Sequence, residues 1–440
     1  MLAVLGIDSV ERLFDDIPAT LRASGLDLPD PRSELTLARE LTALAARNRI
    51  DLVSFLGAGV YRHHIPASVD AVISRGEFYT AYTPYQPEIS QGTLQAVFEF
   101  QSLLGELLGL PVVSASHYDG ASATAEAALM TVRATRRDRV LISRAVHRHF
   151  VETARTYLEA GTGVLEELPT QPDGTTDLLA LASALADADR PVAGVILGQP
   201  NAFGLLEPMA RAAQLTHAAG ALFVAVVEPI SLAVLAPPGE YGADIAAGEG
   251  QPLGIAPQYG GPHLGLLAAS QALLRQVPGR LVGRTTDVEG RRAFVMTLRA
   301  REQDIRRDKA ASNICTNQAL CALAATTYLA SLGPHGLADV AAAGAAAARQ
   351  LEGALADIGI RRVHSAPYLD EFAVRVPHAA AVHRRLLERG ILAGLPLAGW
   401  YPHDPDLADA LLLCATELTT DEDITRLAEA LAEALREAGA

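Results

Sequence analysis

Apolar positions in this chain change period several times. From about residue 70 to 310, short and nearly continuous apolar runs alternate with amphipathic ones. The runs VLISRAVH (140–147), AGVILGQP (193–200) and ALFVAVVEP (221–229) end in turn residues, as buried parallel strands do. Between and around them, ISQGTLQAVFEFQSLLGELLGL (89–110), DLLALASALADA (177–188) and MARAAQLTHAAG (209–220) repeat at helical spacing. Strand and helix in alternation predict an open α/β sheet with helices on both faces. Ligands in such sheets sit outside the carboxyl ends of the strands.

The flanks have a different character. Residues 1–70 read as an N-terminal arm, with a short helix over Ser9–Phe14 and a proline-rich link, LDLPDPRSE. A stronger helix follows, capped by Ser33 and carrying Leu35, Leu37, Leu41 and Leu44 on its apolar positions. Residues 71–315 form the large domain and 316–440 a smaller α/β domain. In the latter a long helix through NQALCALAATTYLASLG stops at Gly333-Pro334, and AAAGAAAARQLEGALADIG forms a second. FAVRV, GILAGLPL and ALLLCATE read as strands, and DEDITRLAEALAEALREAG closes the chain as a helix.

Charge removes some functional classes. The 440 residues carry a net charge of −15, so a nucleic-acid partner, which needs a basic face, is not expected. No apolar stretch is long enough to span a membrane, and the opening residues lack the basic start of a signal peptide. The cysteines, Cys315, Cys321 and Cys414, are too scattered for a zinc site or a disulfide framework, and the cytoplasm is the expected compartment. The chain has one lysine, Lys309. Any Schiff-base chemistry therefore has a single candidate amine.

Five segments carry candidate chemistry. GEFYTAYTPYQPEISQGTLQ (76–95) packs Tyr79, Tyr82 and Tyr85 around Thr80 and Thr83, with prolines fixing the backbone; it reads as an aromatic plug or as a rigid loop offering hydroxyls to a ligand. SASHYDGASATAEAALM (114–130) leads a strand end through Asp119-Gly120 into a helix start, where an anion could bind, although close packing alone explains the small residues. ALFVAVVEPISLAVL places Glu228 just past a strand, and GADIAAGEGQPLGIAPQYGGPHLG (242–265) is a glycine-rich loop with no lysine. TLRAREQDIRRDKAASNICTNQAL (297–320) gathers Arg299, Arg301, Arg306, Arg307 and Lys309, either as a salt-bridged face or as an anion or carboxylate clamp.

Taken together, and with SFLGAGVY and HHIP ahead of them, these segments resemble the N-terminal half of the glycine cleavage P-protein family, in order and over essentially the whole chain. The resemblance implies the aminotransferase fold (type I) of pyridoxal-phosphate enzymes. Its lysine loop is recognisable here as Gly248-Glu249-Gly250-Gln251-Pro252, with no amine. It further implies an alpha subunit whose beta partner carries pyridoxal phosphate, assembled as a dimer of such pairs. Such a pair decarboxylates glycine and passes the aminomethyl group to the lipoylated H-protein. On this view Tyr79, Thr80, Tyr82, Thr83, Tyr85 and Gln86 would line an interface active site, and Arg299, Arg301 and Arg306 would contact a carboxylate or steer the H-protein. Arg62, His64, His117 and the NAFGLLEP turn depart from the pattern. Two other readings compete: a self-sufficient pyridoxal-phosphate aminotransferase or decarboxylase using Lys309, and a non-catalytic scaffold.

Overall fold

The computed structural model describes residues 1–23, 25–161, 163–258 and 260–438. Tyr259 of the glycine-rich loop and Gly439 at the end of the closing helix lie outside them. The chain divides into two compact units, Met1–Asp51 and Leu52–Ala440. The division therefore falls at Asp51, ahead of the residue 70 expected for the end of the arm. The first unit holds the 3-10 turn Val10–Phe14 and the helix Glu34–Ala45. Ser33 caps the latter by accepting from the Thr36 N–H at 3.3 Å. None of the unit's described residues is buried.

The second unit is built on a seven-stranded sheet. Its order is Val112–Val113, Gly265–Ala269, Ile245–Glu249, Leu222–Val227, Val192–Gln199, Arg139–Ser143, Val164–Leu168. The five strands from Ile245–Glu249 to Val164–Leu168 are mutually parallel, and Gly265–Ala269 runs against them. Side chains alternate across this sheet, as the period of two requires. Leu141, Val195, Phe223, Ala225 and Ala246 join a core with the helix Gln91–Leu108 and Tyr328. Their neighbours Val140, Ile142, Ile196, Val224 and Ile245 join a second core with the helices Gly120–Thr135 and Arg148–Glu159. Burial on both faces is why the strands read as continuous apolar runs rather than alternating ones.

A third core surrounds the antiparallel strands Arg361–Arg362, Glu371–Arg375, Ala410–Cys414 and Leu395–Pro396, covered by the helices Ala379–Glu388 and Asp421–Ala438. The expected helix stop at Gly333-Pro334 is present: two helices within Ala319–Asp357 meet at Gly333, whose φ of 63° and ψ of −177° are not helical. The segment after Asp51 joins the third core: Val53–Ser54 pairs in parallel with Ile391–Leu392, and Phe55 is buried in that core.

The turn 201–208 sews the large sheet to the small domain. The Leu206 N–H donates to the Pro367 carbonyl at 2.8 Å, and Gly204 lies against the backbone of Glu371. Gly204 has φ +78°, and a Cβ there would come within 1.8 Å of the Glu371 carbonyl oxygen. Gly204→Ala is therefore expected to cost more than about 2 kcal/mol, read as a fall in the midpoint of chemical denaturation.

Candidate functional site

Strand ends direct the first site. A cavity of about 60 Å³ opens at the carboxyl ends of the parallel strands, lined by Val226, Val227, Glu228, Glu249, Asn201 and His147 among others. Its volume holds about two waters. Three carboxyls face it, Glu228, Glu249 and Glu371, and no lysine or arginine does.

Each carboxyl is engaged within the protein. Glu228 accepts from the N–H groups of Ile230 at 2.9 Å and Ser231 at 2.6 Å. Glu249 accepts at 2.9 Å from the N–H of Gly120 at one oxygen, and from those of Gln251 and Leu264 at the other. Glu371 accepts from the Ala58 N–H at 2.6 Å and from the Tyr61 hydroxyl at 3.0 Å. Burial raises all three above the usual carboxylate range, Glu249 to about 7 and Glu371 to about 8, against the pull of these donors.

The segment 57–64 lies across the cavity. Gln251, in the loop where a lysine was expected, exchanges hydrogen bonds with the backbone of Tyr61 at 2.9 and 3.0 Å. His147 faces the Ala58 carbonyl at 2.8 Å and packs edge-on against Trp400 with ring centroids 4.6 Å apart. Burial lowers its pKa to about 4, so the ring is neutral. Gly59, at φ +92°, lets the backbone reach His147: a Cβ there would lie 2.5 Å from Nε2. His63 meets Glu417 at 2.7 Å on the far side of this segment. His117 lies fully buried away from the cavity, its ring nitrogens unpaired and its pKa pushed down to about 3 by burial. Pyridoxal phosphate does not fit this place. The amine is missing, the anion position holds a carboxylate, and the volume is far below the roughly 300 Å³ of a small-molecule site.

The tyrosine loop forms a second cavity, of about 200 Å³. Tyr79, Tyr82 and Thr83 line it, together with Arg280, Thr316, Asn317 and Gln318. Tyr79 and Tyr82 are about 70% exposed, 68% and 70% respectively, which a plug would not be. Tyr85 instead organises the base of the loop. Its hydroxyl accepts from Arg280 at 2.9 Å, and Arg280 also donates to the Thr83 hydroxyl at 3.2 Å. The guanidiniums of Arg280 and Arg299 lie over the Tyr85 ring at 5.3 and 5.4 Å. Arg280 is buried, 3.6 Å from Glu302, and its Nε has no hydrogen-bond partner.

Other expected site residues stand apart from this cavity. The Thr80 hydroxyl donates to the Gly76 carbonyl at 2.7 Å, and Gln86 is exposed. Arg299 pairs with Asp304. Arg301 donates to the carbonyls of Val277, Gly279 and Leu298, and Arg306 to that of Ala300. Lys309 is exposed and lines neither cavity. Sequence reasoning passed over Arg280. Its one signal is an arginine between Pro278-Gly279 and an apolar strand start, Leu281-Val282.

The model of the family described as glycine cleavage system P-protein matches residues 1–431. A relative from Moorella thermoacetica, named probable glycine dehydrogenase (decarboxylating) subunit 1, is 53% identical over 435 residues, covering 98% of this chain and 96% of its own. A crystal structure of glycine decarboxylase (P-protein) of the glycine cleavage system, in inhibitor-bound form, superposes with a TM-score of 0.91 at 46% identity, covering 99% of this chain and 97% of that one. A cysteine desulfurase from Thermococcus onnurineus shares the fold, with a TM-score of 0.67 at 13% identity over 93% of this chain and 100% of that one.

The buried carboxyls set a pH dependence. Glu371 titrates at about 8 in the folded chain, above its ordinary value of 4.5. Its proton is held more tightly when folded, so its contribution to stability is complete below about pH 4.5 and is lost as pH rises through about 8. Urea denaturation is expected to show a midpoint that falls over that window, and Glu371→Gln should flatten the fall.

Proposed function

This chain belongs to the glycine cleavage system P-protein family, and from that membership we propose that it is subunit 1 of a two-subunit glycine dehydrogenase (decarboxylating). One observation carries the division of labour. The strand-end cavity where the fold would hold a cofactor has three carboxyls and no amine. The cofactor therefore belongs to the partner subunit, and this chain supplies surfaces that complete the partner's site. Pyridoxal phosphate, when bound there, supplies the electron sink for loss of CO2 from glycine.

On this reading the tyrosine loop faces the partner. Tyr79 and Tyr82 present exposed aromatic surface of the kind that anchors interfaces, with Thr80, Tyr85 and Gln86 beside them. Arg280 and Arg299 both lie over the Tyr85 ring and place guanidinium groups behind the loop, where a substrate carboxylate would be favoured. Arg301 and Arg306 brace the backbone around it. The lipoylated H-protein is the acceptor of the aminomethyl group, and the cytoplasm is the compartment.

The test is reconstitution. The purified chain alone should show no internal-aldimine absorbance and release no CO2 from carboxyl-labelled glycine, while mixing it with a lysine-bearing subunit 2 and lipoylated H-protein should restore release. A borohydride-reduced adduct on Lys309 of the lone chain would reverse the assignment. Arg280→Met removes charged hydrogen bonds worth about 1.5–3 kcal/mol each. It is expected to lower the reconstituted rate about 10- to 100-fold with the secondary structure retained, as measured by circular dichroism. Equal rates with Tyr82→Ala and the parent would instead favour a scaffold role.

A further inference from the structure

In the small domain, Arg362 donates to Glu352 at 2.8 Å and lies over the Tyr368 ring, and Arg389 pairs with Glu433 and Glu437 at 3.2 and 2.7 Å. Three other arginines are left together. Arg361, Arg375 and Arg436 line one open groove of about 660 Å³, with Ile358, Ile360 and Leu435 among its apolar walls. No acid lines it among the described residues. The chain carries 51 acidic residues against 36 arginines and lysines, so a groove lined only by the rarer sign is not what composition delivers. Strand register sharpens the point. Arg361 and Arg375 are direct partners in the antiparallel pairing of Arg361–Arg362 with Glu371–Arg375. Residues so opposed share a face of the sheet, with Cβ atoms roughly 5 Å apart, and like charges there repel. Arg361 donates to the Ala356 carbonyl at 2.6 Å. Arg375 and Arg436 are exposed and make no side-chain hydrogen bond or ion pair among the described residues. Two helix ends place partial negative charge nearby: the helical segment Ala319–Asp357 ends before Arg361, and Arg436 lies in the last turn of Asp421–Ala438. They tether these side chains without supplying a full counter-charge. A charge on an edge strand also keeps other strands from adding to it. That role needs Arg361, on the edge strand, and leaves Arg375 and Arg436 unexplained.

We propose that this groove binds a soluble phosphate ester, with the phosphate taken by Arg361, Arg375 and Arg436 and the organic part laid on Ile358, Ile360 and Leu435. A guanidinium meets phosphate oxygens two at a time through its planar fork, and three of them match the charge of a phosphate dianion. The volume lies within the roughly 300–1,000 Å³ of small-molecule sites. The groove is built by the small domain alone, and none of its residues lines either of the other two cavities. Binding there does not depend on the assignment to subunit 1.

Phenyl phosphate is the probe, because it joins a phosphate dianion to an apolar ring. Calorimetric titration of the full chain at constant ionic strength should show saturable binding of phenyl phosphate, weaker binding of inorganic phosphate, and none of phenol. Arg375→Gln and Arg436→Gln should each weaken phenyl phosphate binding about 10-fold, the loss of a charge-assisted contact. Both side chains are exposed, so the melting temperature of each variant should match the parent's. A parent that binds no phenyl phosphate, or binding that is equal in the parent and both variants, overturns the proposal. Variants that slow reconstitution with subunit 2, in a chain that binds no phenyl phosphate, would give the groove to an acidic protein surface and overturn it as well. The titration needs neither partner nor activity, so its result stands apart from the borohydride and reconstitution results.

Discussion

Buried N–H groups at a helix start must find an acceptor, and that requirement organises the centre of this molecule. Parallel strands deliver the chain to one edge of the sheet, and the helix Gly120–Thr135 begins there with its donors facing inward. Glu249 answers the first of them and also the N–H groups of Gln251 and Leu264. Everything around it is arranged by that choice. The loop after Glu249 turns back on the sheet, Gln251 is left free to hold the backbone of Tyr61, and the segment 57–64 settles over the strand ends. A left-over carboxylate acceptor would demand a cation. One bonded to three N–H groups does not.

That closure has an electrostatic cost which the fold spreads over several residues. Glu228 and Glu371 face the same cavity, and Asp370 lies close enough to raise both further. Desolvation and mutual repulsion push these acids up, and the hydrogen bonds from Ile230, Ser231, Ala58 and Tyr61 only partly offset it. A protein interior keeps such a cluster only with its protons or its donors in place. His63, whose charge also acts on Glu228 and Asp370, is taken by Glu417, whose pKa falls accordingly. The acids are thus a structural seam between the 57–64 segment, the large sheet and the small domain.

Much of this was legible in the sequence, because the signals were local. The doubly covered strands announced themselves as continuous apolar runs, and Asp119-Gly120 marked a helix start. The glycine-rich loop after the strand Ile245–Glu249 could be seen to hold Glu249 and Gln251 and no lysine. The contacts that decide the site were not legible, because they join residues far apart in sequence. Tyr61 and Gln251 lie 190 positions apart, and Ala58 and Glu371 lie 313. His147 gave no local hint, since its partners are Ala58 and Trp400. The tyrosine block was visible as a cluster, but composition could not say that Tyr85 bonds to Arg280 while Tyr79 and Tyr82 stand about twice as exposed.

The two cavities carry opposite electrostatics, and this is what separates their roles. One is small, lined by three carboxyls and crossed by backbone at Gly59. The other is larger and aromatic, with a buried arginine behind it whose Nε has no hydrogen-bond partner. The Arg280 guanidinium is held by the hydroxyls of Thr83 and Tyr85, the Tyr85 ring and the Glu302 carboxylate 3.6 Å away. The exposed tyrosines, in contrast, stand on the loop that begins at Gly76. The loop is exposed where a second subunit could reach it, and rigid where Arg280 and Tyr85 hold it. Exposed aromatic rings in front of a buried Arg280 set this surface apart from the closed strand ends.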